Sequence, residues 1–168
     1  MGQATSLRQP LVSDVDVMTA HSPSPPSLDS EQIRDGVRQR LLKYEDKSLL
    51  ERFALFMGTA QVLELSLKAL LHRKYLVPFE NSELWTLGRT ARELKERGLR
   101  GDFCILLNSV VAYRNYVAHE LLANEALRRS ILRTPNCGRE PKELSKAIYE
   151  LEQLALLHDW CEEHEAWT

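Results

Sequence analysis

The sequence predicts an all-α protein, an up-and-down bundle of four main helices with an additional N-terminal helix. Three observations carry this. Apolar residues recur every three or four positions over several long stretches, which is the period of one helix face. Nothing alternates with a period of two, so no sheet is expected. The prolines gather near the N-terminus and in the 135–141 loop, leaving the periodic stretches uninterrupted.

Taken in order, residues 1–29 hold Ser22-Pro23-Ser24-Pro25-Pro26-Ser27 and no sustained apolar period, as expected of a disordered N-terminal arm. The fold is then a single helical domain over 30–168. Ile33, Val37, Leu41 and Tyr44 mark the additional N-terminal helix, which Gly36 weakens. Ser48-Leu49-Leu50-Glu51 forms a capping box ahead of an apolar run. The helix it opens continues through Phe53, Phe56, Met57, Ala60, Leu63, Leu67, Leu70 and Leu71 to about Tyr75, where Val77-Pro78 ends it. A second main helix is expected over Glu83 to Arg97, with Leu84, Leu87, Ala91 and Leu94 inward and Gly98 closing it. Asp102 is expected to cap a third, from Phe103 to about Leu122. A looser region follows, with a helical turn or two over Glu125 to Leu132. Pro141 then suits the first turn of a last helix whose stripe is Leu144, Ile148, Leu151, Leu154, Leu157 and Trp160 or Cys161.

At 168 residues the chain suffices for one domain with a real core. Its formal net charge of −2 offers no global attraction to nucleic acid, so any RNA contact needs a local patch. Three cysteines, Cys104, Cys137 and Cys161, lack CxxC spacing and read as reduced thiols of a cytoplasmic protein. No uninterrupted apolar run reaches membrane-spanning length and no signal-peptide core is present, so no membrane association is expected. Met1-Gly2-Gln3-Ala4-Thr5-Ser6 fits only the loose acylation pattern.

The third main helix changes character at Ala112-Tyr113-Arg114-Asn115-Tyr116-Val117-Ala118-His119-Glu120, where a greasy run meets an arginine, an asparagine and a histidine. Burying these groups unpaired costs several kcal/mol, so they must be paired, solvated in a cleft, or set against another chain. Asn115 and His119 share a face in a regular helix, about 40° apart, whereas Arg114 stands roughly 140° from His119. A distortion of the helix, or a second copy of it, is needed to complete a site.

Arg114-Asn115-Tyr116-Val117-Ala118-His119 resembles the Arg-x4–6-His signature of HEPN domains, including the polar residue that follows the arginine. The resemblance extends to the long first helix, to Thr86-Leu87-Gly88 opening the second, and to the closing helix, covering roughly Ser48 to the C-terminus. It implies a homodimeric bundle with facing motifs, acting as a metal-independent endoribonuclease of toxin–antitoxin or antiviral systems, with an antitoxin protein as a partner. In that chemistry Arg114 stabilises the charge of the phosphorane, His119 moves the proton of the 2′-hydroxyl or the leaving 5′-oxygen, and Asn115 holds the phosphate or orients the imidazole. No cofactor and no metal are implied. Leu121 occupies the position at which one subgroup carries a modifiable tyrosine, so regulation through that tyrosine is not implied here.

Supporting residues are Glu64, as a carboxylate to position Arg114, and Tyr116 beside the motif. Arg89, Arg92 and Lys95, with Arg97 and Arg100 beyond, make the most basic local surface and the candidate contact to an RNA backbone. The plainer alternative is a non-catalytic binding module for a protein or nucleotide, with Arg114 paired to Glu64 or Glu120 and His119 closing its helix end. Glu64 and Lys68 then form an ordinary i, i+4 pair. His158, Cys161 and His164 follow one another along the last helix without a second pair of ligands elsewhere, which leaves a zinc site incomplete.

Overall fold

Side chains that satisfy first-turn amides set where three helices of this computed structural model begin. It describes residues 28–121, 123, 126 and 142–168. Among them are six helices and no strand: α1 (Ser30–Leu41), α2 (Leu49–Tyr75), α3 (Phe79–Ser82), α4 (Leu87–Glu96), α5 (Gly101–Tyr116) and α6 (Lys142–His164). A 3₁₀ turn, Leu42–Tyr44, follows α1, and a π-helical turn, Val117–Leu121, prolongs α5. The expected arm up to residue 27, most of the expected turns over 125–132, Cys137 and Pro141 lie outside the described residues.

Asp29 caps α1, accepting from the Glu31 and Gln32 amides, and Gln32 answers with its own side chain. Ser48 and Glu51 form the reciprocal box expected of α2, and those Ser48 hydrogen bonds hold the Glu51 carboxyl below its ordinary range. α2 ends where Leu76 turns left-handed at φ 55°, one residue before Val77-Pro78.

The second main helix departs from expectation. Residues 83–85 are outside it, because Thr86 is the cap and accepts from the Arg89 amide. Leu84, expected inside, is 92% exposed, and Trp85 is buried in its stead. α5 also starts two residues early, at Gly101, so Asp102 is not its cap but sits in the first turn and accepts from the Phe103 amide at 2.7 Å.

α4 and α6 each pack on both α2 and α5, which places α2 and α5 at opposite corners of the bundle. α1 lies along α6, where Gly36 permits close approach: a Cβ there would stand 2.8 Å from Leu156 Cδ2. The core is the expected apolar stripes, with Phe56, Leu67, Leu71, Leu94, Phe103, Leu107, Ile148 and Leu151 fully buried. By length and composition α2 is also apolar enough to cross a membrane, which a search for uninterrupted apolar runs passes over.

One polar contact crosses the core. Glu152, wholly buried on α6, accepts from the Tyr44 hydroxyl at 2.6 Å and from Lys43 Nζ at 2.8 Å. Burial first, and then the hydrogen bond to Glu152, raise the Tyr44 phenol above its ordinary value of 10.0. The folded state therefore keeps a proton that the unfolded chain releases, so this stability is complete below about pH 10 and falls as the pH rises further. Each such group contributes a slope of at most about 1.4 kcal/mol per pH unit. Urea melts of Tyr44→Phe should lose this part of the alkaline slope and, at neutral pH, about 1.5–3 kcal/mol of stability. The thiols of Cys104 and Cys161 and the Tyr75 phenol, all pushed up by burial, contribute to the slope that remains. An alkaline profile identical in variant and parent would refute the assignment.

Candidate functional site

Phe103, Cys104, Leu107 and Val110 bury one face of α5, and Val117 and Leu121 carry that anchorage into the π-helical turn. The motif straddles this change of helix type. Arg114, Asn115 and Tyr116 belong to the α-helix, while Val117, Ala118 and His119 belong to the wider turn. The expected single helix over 103–122 is thus two helical forms. A π turn bonds each amide to the fifth preceding carbonyl and holds more residues per turn, so His119 is rotated toward the side bearing Arg114 compared with an unbroken α-helix. Only part of the motif lies in the wide turn, so the 140° separation narrows without closing.

Asn115 and His119 are exposed, Arg114 and Tyr116 half-buried. Tyr116 packs on the apolar core. Among the described residues, neither Arg114 nor His119 makes a side-chain hydrogen bond or ion pair. Glu64 does not meet Arg114: its Oε1 accepts from Lys68 Nζ at 2.9 Å, and the same ammonium donates to the Glu83 carbonyl at 3.0 Å. Glu64 and the buried Lys68 therefore anchor the chain between α2 and α4, and the supporting role sketched for Glu64 falls away.

The basic surface divides along α4. Arg89 lies over the Trp85 ring, 4.5 Å from its centroid. Neighbouring Gly88 faces α5 closely, its Cβ position standing 3.3 Å from Val111 Cγ1, about one turn before Arg114. Lys95 sits near the other end of α5, close enough to Cys104 for its charge to act on that thiol. Cys104 is about 15 Å of helix rise from Arg114. Of the three candidate RNA contacts, all exposed, Arg89 is nearest the motif level, Arg92 is intermediate and Lys95 is remote.

Arg97 and Arg100 do not belong to that surface. Arg97 pairs with Glu93. Arg100 forks onto Asp102 with two bonds of 2.7 Å and donates to the Ala166 carbonyl at 3.1 Å. The Asp102 hydrogen bond raises the Arg100 guanidinium, and the same bond depresses the Asp102 carboxyl. The residues weighed as zinc ligands are engaged in packing: His158 meets the Trp167 ring edge-on, Cys161 lies against Arg100, and His164 stacks on Trp160.

Periodicity alone misses a polar seam between α5 and α6. Ser109 bonds Glu150, and Lys146 Nζ stands over the Tyr113 ring, 5.8 Å from its centroid, where the neighbouring phenol raises the ammonium above its ordinary value. The signal was present as two matched i, i+4 pairs, 109 with 113 and 146 with 150, whose partnership only the antiparallel packing reveals. The seam borders a groove of about 970 Å³ that runs past Tyr149, Gln153 and Trp160 toward Arg100. Tyr113 stands immediately before Arg114, so Lys146 brings a cation from another element to the neighbourhood of the motif.

No family model matches the chain, and no curated protein or solved structure shows significant similarity to it.

Proposed function

We propose that the chain is a metal-independent endoribonuclease of the HEPN type, a toxin or defence effector working in the cytoplasm as a homodimer with facing motifs. The observation that carries this reading is an arginine, an asparagine and a histidine without partners among the described residues, set into a core helix where it widens into a π turn. A purely structural arginine in such a helix would be expected to have a carboxylate, and Arg114 pairs neither with Glu64, which is held by Lys68, nor with Glu120.

In the proposed reaction the 2′-oxygen of RNA attacks the adjacent phosphorus, and the bond to the 5′-oxygen breaks. His119 takes the 2′-hydroxyl proton and delivers it to the departing 5′-oxygen. Arg114 donates its fork of hydrogen bonds to the phosphorane oxygens, with Asn115 holding the phosphate. The products are a 2′,3′-cyclic phosphate and a 5′-hydroxyl. Arg89 and the Lys146 ammonium extend the positive field for the backbone on either side, and a second protomer supplies the other half of the site. An antitoxin protein would act by covering this surface.

Purified protein should cut single-stranded RNA in the presence of EDTA, leaving cyclic phosphate ends. His119→Ala should abolish cleavage with helicity unchanged. Dependence on a divalent metal, or full activity in the variant, would sink the mechanism. Undiminished RNA binding without cleavage by the parent would favour the non-catalytic module.

A further inference from the structure

We infer that residues 11–18 of this chain dock into the groove between α5 and α6, held there by the chain that leads from its rim. The groove, about 970 Å³, is walled mainly by apolar side chains: Ile33 of α1, Ile105 and Leu106 of α5, and Tyr149, Leu157 and Trp160 of α6. Ile105 is 75% and Tyr149 42% exposed, so large apolar surfaces on two helices open into the same concavity. A shared concave surface of this kind marks a binding site rather than the scatter of single apolar residues normal for a protein exterior.

What selects the occupant is where the chain enters. Leu28, the first described residue, is half-buried and lines the groove together with Ile33, so the preceding residues leave from its rim. Residues 19–27 hold Pro23, Pro25 and Pro26 and, extended as polyproline at about 3.1 Å per residue, span roughly 28 Å. The groove wall from Lys146 to Trp160 is about 21 Å of helix rise, so either end is within reach. Beyond that tether come Leu11, Val12, Val15, Val17 and Met18, the most apolar cluster of an otherwise polar arm. Extended, residues 11–18 are about 26 Å long, enough to cover the groove from end to end. Charge supports the match at one end only. Near Trp160, Arg100 and Asp102 neutralise each other. Toward the other end Glu150 is held by Ser109, and Lys146 lies in the field of Glu150 but in no ion pair among the described residues, which leaves its ammonium to meet Asp14 or Asp16.

Tethering lowers the affinity that docking requires. A short linker presents its segment at an effective concentration on the order of 1 mM, so an intrinsic dissociation constant of about 0.1 mM keeps the groove about nine-tenths filled. Such a weak contact suits a few apolar side chains and needs no second molecule. A free peptide of the same sequence must displace the tethered copy, so its apparent affinity for the parent is about tenfold lower than for a chain whose own segment cannot dock. The docking does not depend on the activity proposed above.

Acrylamide quenching of the full chain tests the docking through Trp160, whose half-buried ring lines the groove. Val15→Asp combined with Val17→Asp should raise the quenching of Trp160 above the parent's, and the difference should vanish in a Trp160→Phe background. Because the tether is within one chain, the parent's protection should not change on dilution. A peptide of residues 9–21 should bind the doubly substituted chain about tenfold more tightly than the parent. Ile105→Asp, at an exposed position, should remove that binding with circular dichroism unchanged. Equal quenching in parent and variant, or equal peptide binding by both, would overturn the proposal. Protection lost on dilution would put a second copy in the groove in place of the chain's own segment, and would overturn it as well. None of these substitutions touches Arg114 or His119 and no readout involves RNA, so failure of the docking and failure of the ribonuclease reading are read from different measurements.

Discussion

Replacing Trp167 by alanine is expected to cost about 3–5 kcal/mol of unfolding free energy, although it lies beyond the last helix. The residue is 3% exposed, with its ring edge-on to Phe103 and to His158, both at centroid separations of 5.4 Å. Its carbonyl accepts from the Arg100 amide at 2.9 Å, and Arg100 also holds the Ala166 carbonyl. Removing the indole therefore leaves a cavity against Phe103 and loosens the start of α5 from the end of α6. The melting temperature should fall by roughly 10–15 °C. Leu84→Ala, which alters a side chain almost wholly in water, should change stability by no more than about 0.5 kcal/mol. Equilibrium denaturation of the pair decides the matter: a Trp167→Ala loss below about 1 kcal/mol would put the C-terminal segment outside the cooperative unit.

That contrast also shows what the sequence could convey. Leu84 fits the helical period of residues 87–94, and periodicity alone places it inside. Thr86 overrides the period, because its side chain satisfies the Arg89 amide and fixes the helix start at Leu87, three residues beyond Leu84. Trp167, conversely, belongs to no periodic stretch, and its burial depends on partners far away in the chain. The stripes of α2, α5 and α6 were legible because a buried helix face repeats in sequence. The capping box at Ser48 and the stop at Val77-Pro78 were legible because their chemistry is local.

The candidate site divides in the same way. The motif of Arg114, Asn115 and His119 could be found from the change of polarity within an apolar run, and the need for a distorted helix followed from its five-residue spacing. The nature of that distortion, a π turn from Val117 to Leu121, could not, since helix width depends on backbone bonds rather than on side-chain period. The Lys68 ammonium claimed by Glu64 and the Glu83 carbonyl, and the Lys146–Tyr113 contact, likewise depend on which elements become neighbours. Arg100, counted with the basic surface from its place in sequence, proves to be a clamp on the C-terminal segment for the same reason.

Arg114→Lys is expected to reduce kcat/KM for RNA cleavage by about 10²–10³, the loss found when a donor to a developing oxyanion is removed. Lysine keeps the charge, so an effect of that size separates geometry from mere attraction. A guanidinium presents two parallel donors to two oxygens of a phosphorane, whereas an ammonium is a single mobile point charge that stays strongly hydrated. The protein itself should tolerate the change, because Arg114 is half-buried and has no hydrogen bond or ion pair within the described residues. A melting temperature within about 2 °C of the parent is the required control. The loss should appear in kcat more than in KM if the fork acts on charge that develops in the transition state. Arg89→Ala should do the opposite: it weakens binding of all RNA sequences and lowers the salt dependence, since Arg89 is exposed near the motif level and suited to backbone contact. An Arg114→Lys enzyme with unchanged kcat, alongside an inactive His119→Ala, would assign the histidine to catalysis and restrict the arginine to holding the substrate.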